Sequence, residues 1–171
     1  SELAFRLLCA KYDAQLTYTP MFHSRLFVDD HTYRAEQFQA SHEEVPLLIQ
    51  LCGNDPEIVV TAAKMALKMA TRDGCDHVIA GIDLNLGCPQ RIARRGNYGS
   101  YLMDDLETVK QVVTAMHNEL PVPVTCKIRV FPDLERTLAY ANMLVEAGCQ
   151  LLVVHGRTRD QRGHNQGLAD W

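Results

Sequence analysis

Long uninterrupted apolar runs are missing from this chain. Asp, Glu, Lys or Arg breaks every stretch before it reaches the roughly 18 residues of a bilayer-spanning helix, so no membrane partner is expected. Pro/Gly/Ser-rich linkers, internal repeats and low-complexity tracts are also missing, and 47% hydrophobic against 22% charged residues excludes a disordered chain. The 171 residues can therefore bury a sizeable core as one domain. No two cysteines stand in a CxxC pair, and the six present are too sparse for a disulfide scaffold. A reducing compartment, cytoplasm or nucleus, is the expected setting, and no metal is expected. No cationic segment followed by an apolar run opens the chain, which gives secretion no support; a start at Ser1 reads as the interior of something longer. Nothing in the composition sets an oligomeric state.

A net charge of −4 argues against indiscriminate nucleic-acid binding, but the charge is unevenly placed. Asp29, Asp30, Glu36, Glu43 and Glu44 crowd one segment against Arg34 alone. Arg91, Arg94 and Arg95 fall in a segment without acids, and Arg157, Arg159 and Arg162 oppose only Asp160. Such local patches can bind phosphate where the average charge cannot, although short basic runs often do no more than keep a loop solvated.

Short β-branched runs alternate with longer helical ones. Strands are expected at 15–18, 46–51, 78–84, 124–130 and 151–155. A helix from Ser1 to about Tyr12 precedes them. Asn54 or Asp55 caps a second, with Pro56 in its first turn and Gly74 beyond its end. Asp104 or Asp105 opens a third, with Leu106, Val109, Val113, Met116 and Leu120 inward and Pro121 as its stop. A fourth starts at Pro132-Asp133, with Leu134, Leu138, Ala141 and Val145 predicted to face the core and Gly148 at its end. Another would begin near Trp171. Apolar strands joined by helices imply an α/β fold with a covered parallel sheet, either doubly wound or a (β/α)8 barrel, the latter lacking its first and last two strands within this length.

The strands end in polar, reactive residues: Gln50, then Asn85-Leu-Gly-Cys-Pro89, then Lys127 and Arg129, then His155-Gly-Arg157. In barrel enzymes such ends converge on one cavity. Taken singly, each could equally cap a strand or satisfy a local hydrogen bond. Cys88 stands apart from Cys9, Cys52, Cys75, Cys126 and Cys149, which lie in apolar runs as small hydrophobes would. It sits between Gly87 and Pro89 at the head of a basic, glycine-punctuated loop. Without a second cysteine or a histidine at ligand spacing, a metal role is disfavoured. The spacing leaves two roles open: a thiolate nucleophile with His155 as base, or a thiol acid.

Asn85-Leu-Gly-Cys-Pro-Gln90, Ile92-Ala-Arg-Arg-Gly96, Tyr98-Gly-Ser-Tyr-Leu102, Cys126-Lys-Ile-Arg129 and Val154-His-Gly-Arg-Thr158 together resemble the tRNA-dihydrouridine synthases. Arg129-Val-Phe-Pro132 and the stretch from Gly156 to Gly163 are most similar to the eukaryotic branch that acts at positions 16 and 17 of the tRNA D-loop. The resemblance covers nearly the whole chain and implies a (β/α)8 TIM barrel, incomplete here at about strands 2–6, with the rest of the barrel and a helical tRNA-binding domain outside it. It implies reduction of the uracil C5–C6 double bond, with FMN passing a hydride to C6, NADPH recharging the flavin, and Cys88 protonating C5. Gln50, Asn85, Lys127 and His155 would hold the flavin; Arg91, Arg94, Arg95, Arg129 and Arg157 would hold tRNA phosphates or the target uridine. An ordinary cysteine thiol is still protonated at neutral pH, which suits the acid role.

Asn97 stands where similar sequences carry histidine, Gly163-His-Asn-Gln-Gly167 differs from the family's usual pattern, and 61–81 is a few residues longer. Two other readings compete. A dihydropyrimidine or dihydroorotate dehydrogenase uses a similar Asn-x-x-Cys-Pro turn on a free pyrimidine, but would not need the charge of Arg91, Arg94 and Arg95. A truncated RNA-binding paralogue without catalysis would not need Gln50, Asn85, Cys88, Lys127 and His155 all present.

Overall fold

The computed structural model describes residues 1–170; the helix expected near Trp171 lies outside the described residues. All strand pairs are parallel, in the order β1 (Thr17–Tyr18), β3 (Leu47–Cys52), β4 (Ile79–Leu86), β5 (Val124–Val130) and β6 (Leu151–Thr158). β2 (Phe22–His23) also pairs with β3, so β1 and β2 are two pieces of one strand broken at Pro20, which has no N–H to give the ladder. These strands curve as part of a barrel wall with helices outside, the incomplete (β/α)8 architecture.

The helices form where caps and apolar stripes coincide. Asp55 caps α4 (Pro56–Arg72) by accepting from the Glu57 and Ile58 amides, and Ala62, Ala63, Ala66 and Ala70 let it lie close on the sheet. Asp105 caps α6 (Leu106–Glu119), which buries Val109, Val112, Val113 and Met116 as its stripe requires. Two short helices, α2 (Ser24–Asp29) and α3 (His31–Gln37), the second within the acidic segment, occupy a stretch that sequence periodicity leaves blank, because neither is long enough to show a period. A five-residue helix, α5 (Arg91–Arg95), forms within the basic loop after Cys88.

One expectation is corrected. α7 (Leu134–Glu146) buries Thr137, Tyr140 and Leu144, while Leu134, Leu138 and Val145 are 68%, 48% and 58% exposed. The helix is turned by one residue's rotation, about 100°. The Thr137 hydroxyl receives the Phe131 amide N–H at 2.9 Å, and the Tyr140 ring packs edge-on against Phe131 at 5.8 Å, and together they set that rotation.

Outside the sheet, α1 (Leu3–Ala10) is tied down by Arg6, only 2% exposed. Its guanidinium pairs with Glu44 at 2.5 and 3.1 Å and donates to the Gln39 carbonyl, while Glu44 also accepts from the Ser41 amide. A buried pair of this kind is most costly when half of it is removed. Glu44→Gln is expected to lower the unfolding free energy by about 3 kcal/mol, read from denaturant midpoints, and a paired Arg6→Met, Glu44→Leu replacement to recover most of that loss.

Candidate active site

Parallel register sets the site. Gln50 lies beside Asp83 and Asp83 beside Thr125; one pleat further, Asn85 lies beside Lys127, and Arg129 beside His155. Because strand side chains alternate, Gln50, Asp83, Asn85, Thr125 and Lys127 share the inner face. Asp83 is fully buried; its Oδ1 accepts from the Thr125 hydroxyl at 2.6 Å and its Oδ2 from Gln50 Nε2 at 2.8 Å. Burial pushes the Asp83 carboxyl up, and the Thr125 and Gln50 hydrogen bonds and the Lys127 charge oppose the shift.

Gln50 Oε1 accepts from Asn85 Nδ2 at 2.9 Å, and Asn85 Oδ1 accepts the amide N–H groups of Gly87 at 3.1 Å and Cys88 at 2.9 Å. The turn carrying Cys88 is held from its other side as well. The Cys88 carbonyl receives both the amide and the hydroxyl of Ser100, and Tyr101 donates to the Pro89 carbonyl. Gly99 has φ +63°, and a side chain there would put its first carbon 2.7 Å from the Cys88 carbonyl oxygen, so only glycine permits this approach. The Cys88 thiol is free and half-buried, packed against Cys52, Ala93 and Tyr98. Cys52 beneath it is pushed up to about 12 by burial and by Cys88, which keeps it a thiol.

Lys127, His155, Gly156 and Arg157 line a cavity of about 510 Å³ with Leu168 and Ala169. Burial and Arg129 pull the half-buried Lys127 down, with Asp83 opposing. His155 is pulled below its ordinary 6.5 by burial, then by Arg129, Lys127 and Arg157. Its Nδ1 accepts the Arg157 amide N–H at 3.1 Å, which puts the proton of the neutral ring on Nε2. Lysine, arginine and an Nε2–H imidazole form an all-donor set. Such a set suits an electron-rich, anionic group, and the apolar Leu168 and Ala169 suit a flat ring beside it. A flavin mononucleotide fits that chemistry.

The sequence-predicted residues fall into three groups. Gln50, Asn85 and Cys88 are joined by hydrogen bonds; Lys127, His155 and Arg157 share the cavity. Arg129 bridges them, donating from Nε to the Gly87 carbonyl at 2.8 Å and from Nη1 to the carbonyls of Thr158 and Gln161, with Nη2 outside these bonds. Arg91 belongs to a neighbouring cleft of about 760 Å³ that also takes in Gln90, Arg129, Arg162 and His164. Arg94 and Arg95 are exposed on α5, away from the cavity. Sequence reasoning missed Asp83 and Thr125 in the network, and Arg162, which donates to the Pro89 carbonyl and the Tyr101 hydroxyl. The signal for Asp83 was present: a carboxylate inside an apolar strand is costly unless hydrogen-bonded.

A profile of the dihydrouridine synthase (Dus) family matches residues 1–171. The chain belongs to the dihydrouridine synthase family. It is 50% identical to a rat protein named tRNA-dihydrouridine(16/17) synthase [NAD(P)(+)]-like over all of this chain and 37% of the relative. It is 49% identical to the tRNA-dihydrouridine(16/17) synthase of Schizosaccharomyces pombe, again over all of this chain and 41% of the relative. A human tRNA-dihydrouridine(20a/20b) synthase-like protein is 35% identical over 95% of this chain. The chain thus spans about two-fifths of the length of the curated relatives it matches.

The electrostatics of this Dus-family site are testable without a ligand. His155 is expected to titrate below 6.5 with its proton on Nε2, read from imidazole nitrogen shifts by NMR, and Lys127→Met to move its pKa upward. Because the folded value lies below the unfolded one, the unfolded chain binds more protons between the two. The His155 contribution to stability is therefore whole above pH 6.5 and declines as pH falls below it.

Proposed function

We propose that this protein is a flavin-dependent oxidoreductase that reduces uridines of the tRNA D-loop to 5,6-dihydrouridine, at positions 16 and 17. The observation that carries the reading is the Cys88 thiol, held free and accessible by Asn85, Ser100 and Gly99 beside the all-donor cavity of Lys127, His155 and Arg157. Family membership supports it, as do relatives named for this activity at positions 16 and 17.

The chemistry that FMN supplies when bound is delivery of a hydride to C6 of the uracil, with NADPH restoring the reduced form. This chain's residues do the rest. Cys88 Sγ gives its proton to C5 as negative charge develops there, so that hydride and proton together saturate the C5–C6 bond, and the thiolate is reprotonated from water. Gln50 keeps a second amide N–H beyond the one given to Asp83, and Asn85 a second beyond the one given to Gln50; these would hold ring carbonyls of flavin and uracil. Lys127 and the Nε2–H of His155 would favour added negative charge on the ring system, and Arg157 would hold the target uridine or a tRNA phosphate. Arg91, Arg94 and Arg95 hold tRNA phosphates beside the cleft, offsetting the few kcal/mol needed to draw the uridine out of its stack. Arg129 chiefly clamps the Cys88 turn to β6 and has Nη2 left for the substrate. Cytoplasm or nucleus is the setting such a substrate calls for.

The test uses the purified protein in its longest natural form. Anaerobic NADPH should bleach a flavin spectrum, and unmodified tRNA should restore it while forming dihydrouridine. Cys88→Ala should leave the NADPH step unchanged and slow the tRNA step by roughly 100- to 10,000-fold; an unchanged tRNA step would remove Cys88 from the chemistry. Replacing Arg91, Arg94 and Arg95 together by alanine should raise the KM for tRNA more than it lowers kcat. It should also flatten the salt dependence of binding by about 0.7 to 0.9 in log–log slope for each phosphate that is no longer neutralised.

A further inference from the structure

The hydrogen bonds between Asp83 and the Cys88 turn all run in one sense. Asp83 Oδ2 takes an N–H from Gln50, which commits Gln50 Oε1 to the far side, where it takes an N–H from Asn85. That in turn commits Asn85 Oδ1 to the backbone N–H groups of Gly87 and Cys88. Both ends demand the same sense, since the Asp83 oxygens accept from Thr125 and Gln50 and a backbone N–H only donates. Neither amide can turn over alone. A reversed Asn85 would set its NH2 against two N–H donors and its oxygen against Gln50 Oε1; a reversed Gln50 would set oxygen against carboxylate and NH2 against NH2.

Asp83 has no contact with solvent and makes no ion pair among the described residues. Ile82, Leu84 and Leu86, its neighbours in β4, are buried and apolar. An apolar residue would suit the strand better than a buried carboxyl held by a single hydroxyl and a single amide. The Thr125 hydroxyl fixes the carboxylate plane from the next strand, so both oxygens have assigned partners.

We infer that Asp83 is a positioning residue that sets the orientation of the Gln50 and Asn85 amides and, through them, the placement of the Cys88 thiol. It acts at two residues' remove from the thiol and meets neither substrate nor cofactor. The inference rests on the reading of Cys88 as the proton donor only for its consequence in catalysis; the geometric part stands without it.

The test is a polarity swap. Gln50→Glu keeps the size of the side chain but sets two carboxylates face to face and removes the N–H that Asp83 Oδ2 receives. Asp83→Asn in that background restores the original sense, its NH2 donating to the new carboxylate, which accepts from Asn85. On its own Asp83→Asn can turn its NH2 to the Thr125 hydroxyl and keep its oxygen on Gln50 Nε2, so it should stay near wild type. The first readout is the rate at which iodoacetamide alkylates Cys88, followed by mass spectrometry of its peptide. Gln50→Glu should change it about tenfold, the worth of one mismatched buried hydrogen bond, and the double variant should bring it back toward wild type. The second readout is tRNA-dependent flavin reoxidation at saturating FMN, which should slow by roughly 10- to 100-fold in Gln50→Glu and recover in the double variant. A role in stability alone would lower the denaturant midpoint and leave both rates of the folded protein near wild type, and that result overturns the inference, as does a double variant no better than Gln50→Glu. Should Gln50→Glu fail to fold, Thr125→Val, which removes only the hydroxyl donor to Asp83, should shift both rates in the same direction to a smaller degree. If wild type forms no dihydrouridine but the alkylation pattern holds, the proposed function fails and the positioning role of Asp83 stands.

Discussion

The site depends on one constraint, the parallel register that sets Gln50, Asp83 and Thr125 side by side on adjacent strands. A slip of one residue in either pairing would turn a whole set of side chains to the other face and dissolve every bond between the carboxylate and the Cys88 turn. The apolar outer faces of the same strands prevent that slip. Ile49, Leu51, Ile82, Leu84, Cys126 and Ile128 are fully buried under α4, α6 and α7, so a register error would expose a core as well as disrupt a site. Packing on one side of the sheet thereby fixes the chemistry on the other.

Two kinds of polarity meet at the strand ends. On the β3–β4 side the groups are neutral amides whose orientation carries the information. On the β5–β6 side they are cations, Lys127, Arg129 and Arg157: Arg129 disfavours charge on Lys127, Arg157 disfavours it on Arg129, and all three disfavour it on His155. A cluster of like charges is destabilising by itself, and an anionic ligand relieves it. Donors held in this arrangement by the strands would meet an anionic ligand with little reorganisation. Arg129 belongs to both sides: its guanidinium joins the Gly87 carbonyl to the β6 loop, so the cationic half of the site also braces the turn that carries the thiol.

Much of this is legible in the sequence wherever a local rule acts alone. β5 has the bounds its apolar run implies, and Asp55 and Asp105 cap their helices as short polar residues before an apolar stripe should. The motif residues Gln50, Asn85, Cys88, Lys127 and His155 stand out along the chain, and they do gather at the strand ends. What the sequence hides is anything set by a partner distant along it. Asp83 looks like a blemish in an apolar strand until Gln50 and Thr125, 33 and 42 residues away, are placed beside it. α2 and α3 are too short to show a period and are held by contacts with the rest of the fold. Arg129 reads as a free cation in the sequence because its acceptors are backbone carbonyls, which carry no sequence signature.

The α7 stripe shows the same limit in sharper form. Leu134, Leu138, Ala141 and Val145 do lie on one face of a helix, and the periodicity that singles them out is real. Periodicity locates an apolar face, however, and does not say what that face touches. In α7 the base that meets the sheet is Thr137, whose hydroxyl satisfies the Phe131 backbone, and Tyr140, whose ring packs on the Phe131 side chain and supplies the buried area. The leucine stripe is left on the flank. In a barrel each helix has neighbours on both flanks, and α6 occupies one flank of α7, so a second apolar face is the composition of a helix that packs sideways as well as inward. Asp83 and Thr137 therefore teach one lesson from opposite directions. In this fold a single well-placed hydrogen bond outranks a methylene count in deciding which way a side chain, or a whole helix, must face.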